Sequence, residues 1–199
     1  MLAGLILLAA LSRLLPHPPN FSPVEAIALF GGAHFASRRW ALLVPLAGMA
    51  LSDIALALIG GVGYLPVPGI GPGHGDASSY LEYLTRASYL PALLAVYGCI
   101  VLCTLLGFGL RGRVNGPRVL GYALAGSALF FVLSNFATWL TAFAVPGYPA
   151  CSTSLTSCYA AALPFLQWTV LGTLTYSALL FGGFALLRRR LPALRLQTV

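Results

Sequence analysis

Apolar residues in this chain run in long blocks rather than alternating with polar ones. Six blocks stand out, at roughly 2–15, 23–36, 41–60, 88–110, 118–143 and 160–187. As helices rising about 1.5 Å per residue, the last four are long enough to cross a ~30 Å hydrocarbon core. The first two are short, since fourteen residues rise only about 21 Å. Between them Pro16-His17-Pro18-Pro19-Asn20 cannot continue a helix, because proline has no amide donor and clashes with the preceding turn. We read them as two short, tilted spans; the alternative is a broken hairpin partly buried in the bundle. The first block has no basic residues before it and no small-residue cleavage site before the prolines, so it reads as retained rather than as a signal peptide. The expectation is an all-α membrane protein, a single domain over 1–199 built as a bundle of about six transmembrane helices.

Composition agrees. Of 199 residues 59% are hydrophobic and 8% charged, against about 25% charged in a soluble domain. Mean hydropathy is +0.89. The net charge of +7 would suggest nucleic acid in a soluble protein. Here the basic residues are arginines placed between or after the apolar blocks, so nucleic-acid binding is discounted. Arg38 and Arg39 follow the second block, Arg111, Arg113 and Arg118 surround the link between the fourth and fifth, and Arg188, Arg189, Arg190 and Arg195 follow the sixth. Placing both termini in the cytoplasm puts all of these inside and leaves Arg13 and Arg86 outside, as the positive-inside rule prefers. The outer connections are then 16–22, 61–87 and 144–159. Residues 62–75 of the longest are rich in glycine and proline, and this stretch is either a lid or a plain loop. Tyr80, Tyr83 and Tyr89 around Glu82 resemble an interfacial aromatic anchor.

Cys99 and Cys103, four apart on one helix face, are expected to pack as small apolar residues. Cys151 and Cys158 both fall in the outer connection 144–159. On the oxidising side of a bacterial inner membrane they form a disulfide candidate, with two free thiols as the alternative.

Ionisable groups inside apolar blocks need a reason, because each costs about 2.5–3.5 kcal/mol at a span centre. Asp53 is the clearest case and is expected to be a buried polar partner. Glu25 has a simpler reading, as an acid placed favourably in the first turn of a helix. His34, beside Gly31 and Gly32, reads as a hydrogen-bonded residue near the inner boundary. Asn135 and Trp139 share a face four residues apart, and Gln167 and Trp168 lie in the last block with Tyr176 further along. Such side chains either line a small-molecule site or form interhelical hydrogen bonds. Small residues at Ala28, Gly31, Gly32, Ala36, Gly121, Ala125 and Gly126 permit close helix approach, for internal packing or for a docked partner. No metalloprotease, nucleophile-elbow, P-loop or metal-ligand pattern occurs, so neither an enzyme nor a resident cofactor is expected.

The run Ser12-Arg13-Leu14-Leu15-Pro16-His17-Pro18-Pro19-Asn20-Phe21-Ser22-Pro23, continued by Ala26-Ile27-Ala28-Leu29-Phe30-Gly31-Gly32-Ala33, resembles a family of small bacterial inner-membrane proteins classed as candidate transport proteins. So do Leu51-Ser52-Asp53, Ser134-Asn135-Phe136-Ala137-Thr138-Trp139-Leu140 and Cys158-Tyr159-Ala160-Ala161-Ala162-Leu163-Pro164-Phe165. Two departures stand out. The 61–87 connection looks like an insertion, and Thr173 stands where an acid is expected after Leu171-Gly172. That family is similar in size and span number to the substrate-binding S components of energy-coupling-factor (ECF) vitamin transporters. The likeness implies a solute site near the outer face and docking, through small residues, to a transmembrane coupling subunit with ATPases. Solitary relatives, one group linked to cobalamin, work without that module.

The function expected from these residues is a small transporter or substrate-binding subunit, S-component-like, for a vitamin-sized solute such as cobalamin. Its site is placed among Asn135, Trp139, Tyr159 and Gln167, with Asp53 as a buried polar partner. The 61–87 connection has no cysteine to offer cobalt, which leaves His74 as a substitute ligand there. The alternative is a non-transporting scaffold or assembly subunit with a stoichiometric protein partner and no solute.

Overall fold

The computed structural model describes residues 1–61, 65, 77–143 and 149–190. Among these the chain is helical, with no strand: α1 (Leu2–Leu11), α2 (Val24–His34), α3 (Arg38–Ile59), α4 (Ala77–Thr85), α5 (Leu90–Gly107), α6 (Gly116–Thr141), α7 (Pro149–Thr153), α8 (Leu155–Ser177) and α9 (Gly183–Arg190). Short 3-10 turns extend α1 to Leu14, precede α5 and follow it, and a π-helical stretch, Ala178–Gly182, joins α8 to α9.

Four continuous helical stretches are long and apolar enough to cross a membrane: Arg38–Ile59, Ala87–Leu110, Gly116–Thr141 and Leu155–Arg190. Many large apolar side chains on them point outward, among them Leu58, Ile54, Leu94, Leu140, Leu163 and Leu179. In water that surface would be unstable; in a bilayer it meets acyl chains. The protein is an all-α membrane protein.

The boundaries differ from expectation mainly at the last long helix, which begins at Leu155 rather than near 160. The Ser154 hydroxyl accepts the Ser157 amide at 3.1 Å and supplies the N-cap. Cys158 is therefore on the first turn of α8 and Cys151 on α7, not in an irregular connection. At the other end of its own helix, Gly60 (φ 103°) takes the left-handed conformation that closes α3, its amide returning to the Leu56 carbonyl at 3.1 Å.

The two short blocks behave differently. α1 is half lipid-facing, with Leu8 strongly exposed. Every residue of α2, from Val24 to His34, is buried. The first block thus fits a short span, whereas the second is enclosed on all sides. α2 lies among α1, α3, α5, α6 and α8 and rises only about 15 Å. It is held by backbone-close contacts. A methyl group on Gly32 would lie 2.2 Å from the Thr104 carbonyl oxygen, and one on Gly107 2.5 Å from the Leu29 carbonyl oxygen. On the α3 side, a methyl on Gly31 would meet the Pro45 ring at 2.8 Å. The glycines of α2 are therefore consumed by internal packing.

The linker before α2 also enters the bundle. Phe21 and Ser22 press on Gly172 of α8, where an added methyl would lie 2.8 Å from the Ser22 amide. Phe21 stacks near Tyr176, and the Tyr176 hydroxyl accepts from Ser12 at 2.7 Å. Irregular backbone at this depth is tolerated because protein surrounds it.

Candidate functional site

One end of the bundle is basic. Arg111 donates to the Gly32 carbonyl at 2.9 Å and to the Phe35 carbonyl at 2.8 Å, satisfying the C-terminus of α2, where a cation is favoured by the helix dipole. Arg38 and Arg111 both lie over the Phe108 ring, and Arg188 over that of Phe184. His34 sits just inside them, its Nδ1 3.2 Å from the Phe30 carbonyl and its ring against Phe181 and Phe184. It is a packed, hydrogen-bonded histidine.

The opposite end carries a buried ionic network. Arg13, in the turn after α1, reaches Asp53 on α3 at 2.6 Å. The two side chains are 12% and 3% exposed, so the pair is out of solvent. The same guanidinium donates to Ser52 at 2.5 Å and to Tyr80 of α4 at 3.0 Å. The Tyr80 hydroxyl donates to Asp53 Oδ1 and the Tyr97 hydroxyl of α5 to Oδ2, each at 2.8 Å. Both carboxylate oxygens are thereby satisfied, as a buried charge requires. Burial pushes the Tyr80 phenol well above its ordinary pKa, so it remains a donor. Four elements meet here, and α4 is pinned to the bundle by Tyr80. We call this network the latch.

A third group lies between α6 and α8. The Tyr159 hydroxyl donates to the Val132 carbonyl at 2.6 Å, and its ring packs edge-on against Phe131. Asn135 turns its amide back to the Phe131 carbonyl at 2.8 Å. Trp139 packs on the small cluster formed by Ala142, Cys151 and Cys158. Cys151 and Cys158 are joined as a disulfide, tying α7 to α8. Closing so short a loop is worth about 2–3 kcal/mol in the chain-entropy account. Reduction is therefore expected to lower the stability of the purified protein by about that much. Non-reducing mass spectrometry of the intact chain checks the bond itself, and free thiols at both positions contradict it.

The structure thus brings together Asn135, Trp139 and Tyr159. It does not bring Asp53 to them, because Arg13, Tyr80 and Tyr97 claim both its oxygens. Gln167 is exposed, facing outward from α8, so it is not among the interior residues. His74 and the glycine-rich stretch fall outside the described residues. Cys99 and Cys103 are free, buried thiols in the packing.

Sequence reasoning missed two partners. Arg13 was read as an outer-face topology signal, yet it is the counter-ion of Asp53. Glu25 does lie in the first turn of α2, but it is 2% exposed, and among the described residues its Oε2 has no hydrogen-bond partner. Thr173, the position that departs from the resembled pattern, comes close to its carboxyl. The available signal was depth: Glu25 begins a helix that starts in mid-bundle rather than at its surface.

No curated protein and no solved structure matches the chain. Residues 1–194 match the model of a family described as one of unknown function, DUF6580, and the chain belongs to that family.

Proposed function

We propose that the chain is a small integral-membrane transporter or substrate-binding subunit, S-component-like and multi-pass in a bacterial inner membrane. In this reading both termini are cytoplasmic, and a vitamin-sized solute is captured from the outer side. The latch is the observation that carries it. A buried ion pair is costly to place in a bundle and is a weak source of stability. This one fastens α4, the helix that follows the long outer connection, across the end opposite the arginines. Fastening by ionic and tyrosine hydrogen bonds is reversible, so α4 acts as a gate over that end. The gathering of Arg38, Arg111 and Arg188 around the C-terminus of α2 supports the orientation.

The solute contacts assigned to this reading are Asn135, Trp139 and Tyr159, each only half-buried, on the α6–α8 face beside the disulfide. Cobalamin is one candidate within the vitamin class. No chemical step and no resident cofactor are assigned. A coupling subunit with ATPases, if recruited, has no access to Gly31 or Gly32. It would use Gly121 and Ala125, which line an open groove with Leu106, Arg118 and Tyr122. The scaffold alternative draws on that same groove.

Gentle purification followed by mass spectrometry for a co-purified small molecule tests the reading. A bound solute supports it. A ligand-free protein with a stoichiometric membrane partner moves the assignment to a scaffold. Once a solute is identified, Asn135→Ala and Trp139→Ala are each expected to weaken binding by about tenfold, or ~1.4 kcal/mol. Unchanged binding in both rejects the site.

A further inference from the structure

Glu25 lies near the middle of the bundle, about 14 Å along α2 from His34 at the arginine end. A methyl on Gly126 of α6 would be 3.8 Å from Glu25 Cβ and 3.5 Å from Cys103 Sγ of α5, so three helices converge on this side chain. From α8 comes a row of buried hydroxyls at i, i+4 spacing, Thr169, Thr173 and Ser177, which runs along one face for about 12 Å. Ser127, next to Gly126, is buried too. The hydroxyls of Ser127 and Ser177, like Glu25 Oε2, have no hydrogen-bond partner among the described residues.

Among the described residues no cation is placed to neutralise Glu25. Among the described residues the ion pairs are Arg13–Asp53 and Arg86–Glu82. The titratable groups turned to it are the thiols of Cys99 and Cys103 on α5. α8 brings only Tyr159 and Tyr176, the latter bonded to Ser12, and α6 only Arg118 and Tyr122 near its start. On α3 Asp53 is committed to the latch, and from α1 the only charged neighbour is Arg13, bound to it.

Burial without a counter-ion then fixes the state of the carboxyl. A threonine hydroxyl has one proton, and that of Thr173 goes to the Thr169 carbonyl at 2.8 Å. Thr173 offers the carboxyl a hydroxyl but no charge, and a buried carboxylate with no cation beside it is far costlier than the neutral acid. No three His, Cys, Asp or Glu side chains gather among the described residues as a metal site would need. A proton is therefore the ion this carboxyl is built to hold.

We propose that Glu25 is a proton-binding site at the centre of the bundle, a neutral carboxylic acid that gives up and regains its proton when water reaches the buried hydroxyl row. On release the acid O–H bond breaks, its electron pair stays on the carboxylate oxygen, and the proton passes to water; uptake is the reverse. An intramembrane acid that exchanges a proton is what a proton-coupled carrier requires. The inference stands apart from the identity, or even the existence, of an organic solute.

The test is infrared spectroscopy of the whole protein in lipid vesicles over a pH series, with labelling by an apolar carbodiimide, which adds to protonated carboxyls. At neutral pH a carboxylic-acid carbonyl band is expected, lost in Glu25→Gln and retained in Glu25→Asp. Carbodiimide mass is expected on Glu25, with labelling falling about tenfold per pH unit above its titration. Absence of any Glu25-dependent acid band at every pH overturns the proposal, since the group is then a carboxylate. A band unchanged up to the highest pH the fold survives overturns it too, since the acid is then permanently neutral and exchanges nothing.

Discussion

Asp53→Ala is expected to destabilise the protein by about 3–5 kcal/mol, because it leaves the Arg13 guanidinium buried without its counter-ion. The carboxylate accepts from Arg13, Tyr80 and Tyr97 at 2.6–2.8 Å, so one truncation orphans three donors at once. Unfolding in a graded mixture of mild and denaturing detergent measures the loss. The double replacement Arg13→Met with Asp53→Leu is expected to recover much of it, since an apolar pair of similar volume removes the desolvation cost from both partners. It is not expected to restore the hold on α4, because Tyr80 then has neither partner. Protease access to α4 is expected to rise in both variants. A single variant as stable as the wild type would show that the network is not the buried ion pair described.

The second large effect is at Gly32. A methyl there would stand 2.2 Å from a backbone oxygen of Thr104 and 2.9 Å from Gly107 Cα. Neither is the free end of a flexible side chain, so relief requires α2 and α5 to separate. Overpacking ordinarily costs about 1–3 kcal/mol, and backbone obstruction places Gly32→Ala at or above the top of that range. Gly121→Ala is the matched control. It lies on a helix where nothing comes within 4 Å of the added methyl, so it is expected to be neutral or slightly stabilising through helix propensity. Equal effects at the two positions would contradict the enclosed placement of α2.

Much of the architecture was legible because hydrocarbon imposes a simple rule, that long apolar runs become helices with every backbone group paired internally. The four long blocks were each located to within a few residues. Two misreadings share one cause: block length and charge placement give position along the membrane normal but not lateral neighbours. Arg13 and Asp53 are 40 residues apart, and no periodicity pairs them. α2 and α1 have similar length and apolarity, yet only α2 is sealed on every side. Gly31 and Gly32 were consistent with either an outer docking face or an inner one, and only their approach to Pro45 and Thr104 decides for the inner. The start of α8 was missed because Ser154 is a capping residue within a polar stretch that otherwise reads as loop. Asn135 and Trp139 were placed on one face by their spacing, whereas the outward direction of Gln167 was not legible, because an amide in an apolar block looks interior whichever way it points.

The enclosure of α2 has a consequence for how the chain is made. The segment is translated before most of the helices that enclose it, but it is short, carries Glu25 and His34, and has no face suited to acyl chains. It cannot rest stably in lipid as an independent helix in the way the later segments can. Its packing surfaces belong to α3, α5, α6 and α8, the last of which ends at Ser177. The centre of the molecule must therefore wait for its periphery, with α2 held by the insertion machinery or at the interface until α8 has been translated. A product truncated before α8 is then a natural target for membrane quality control.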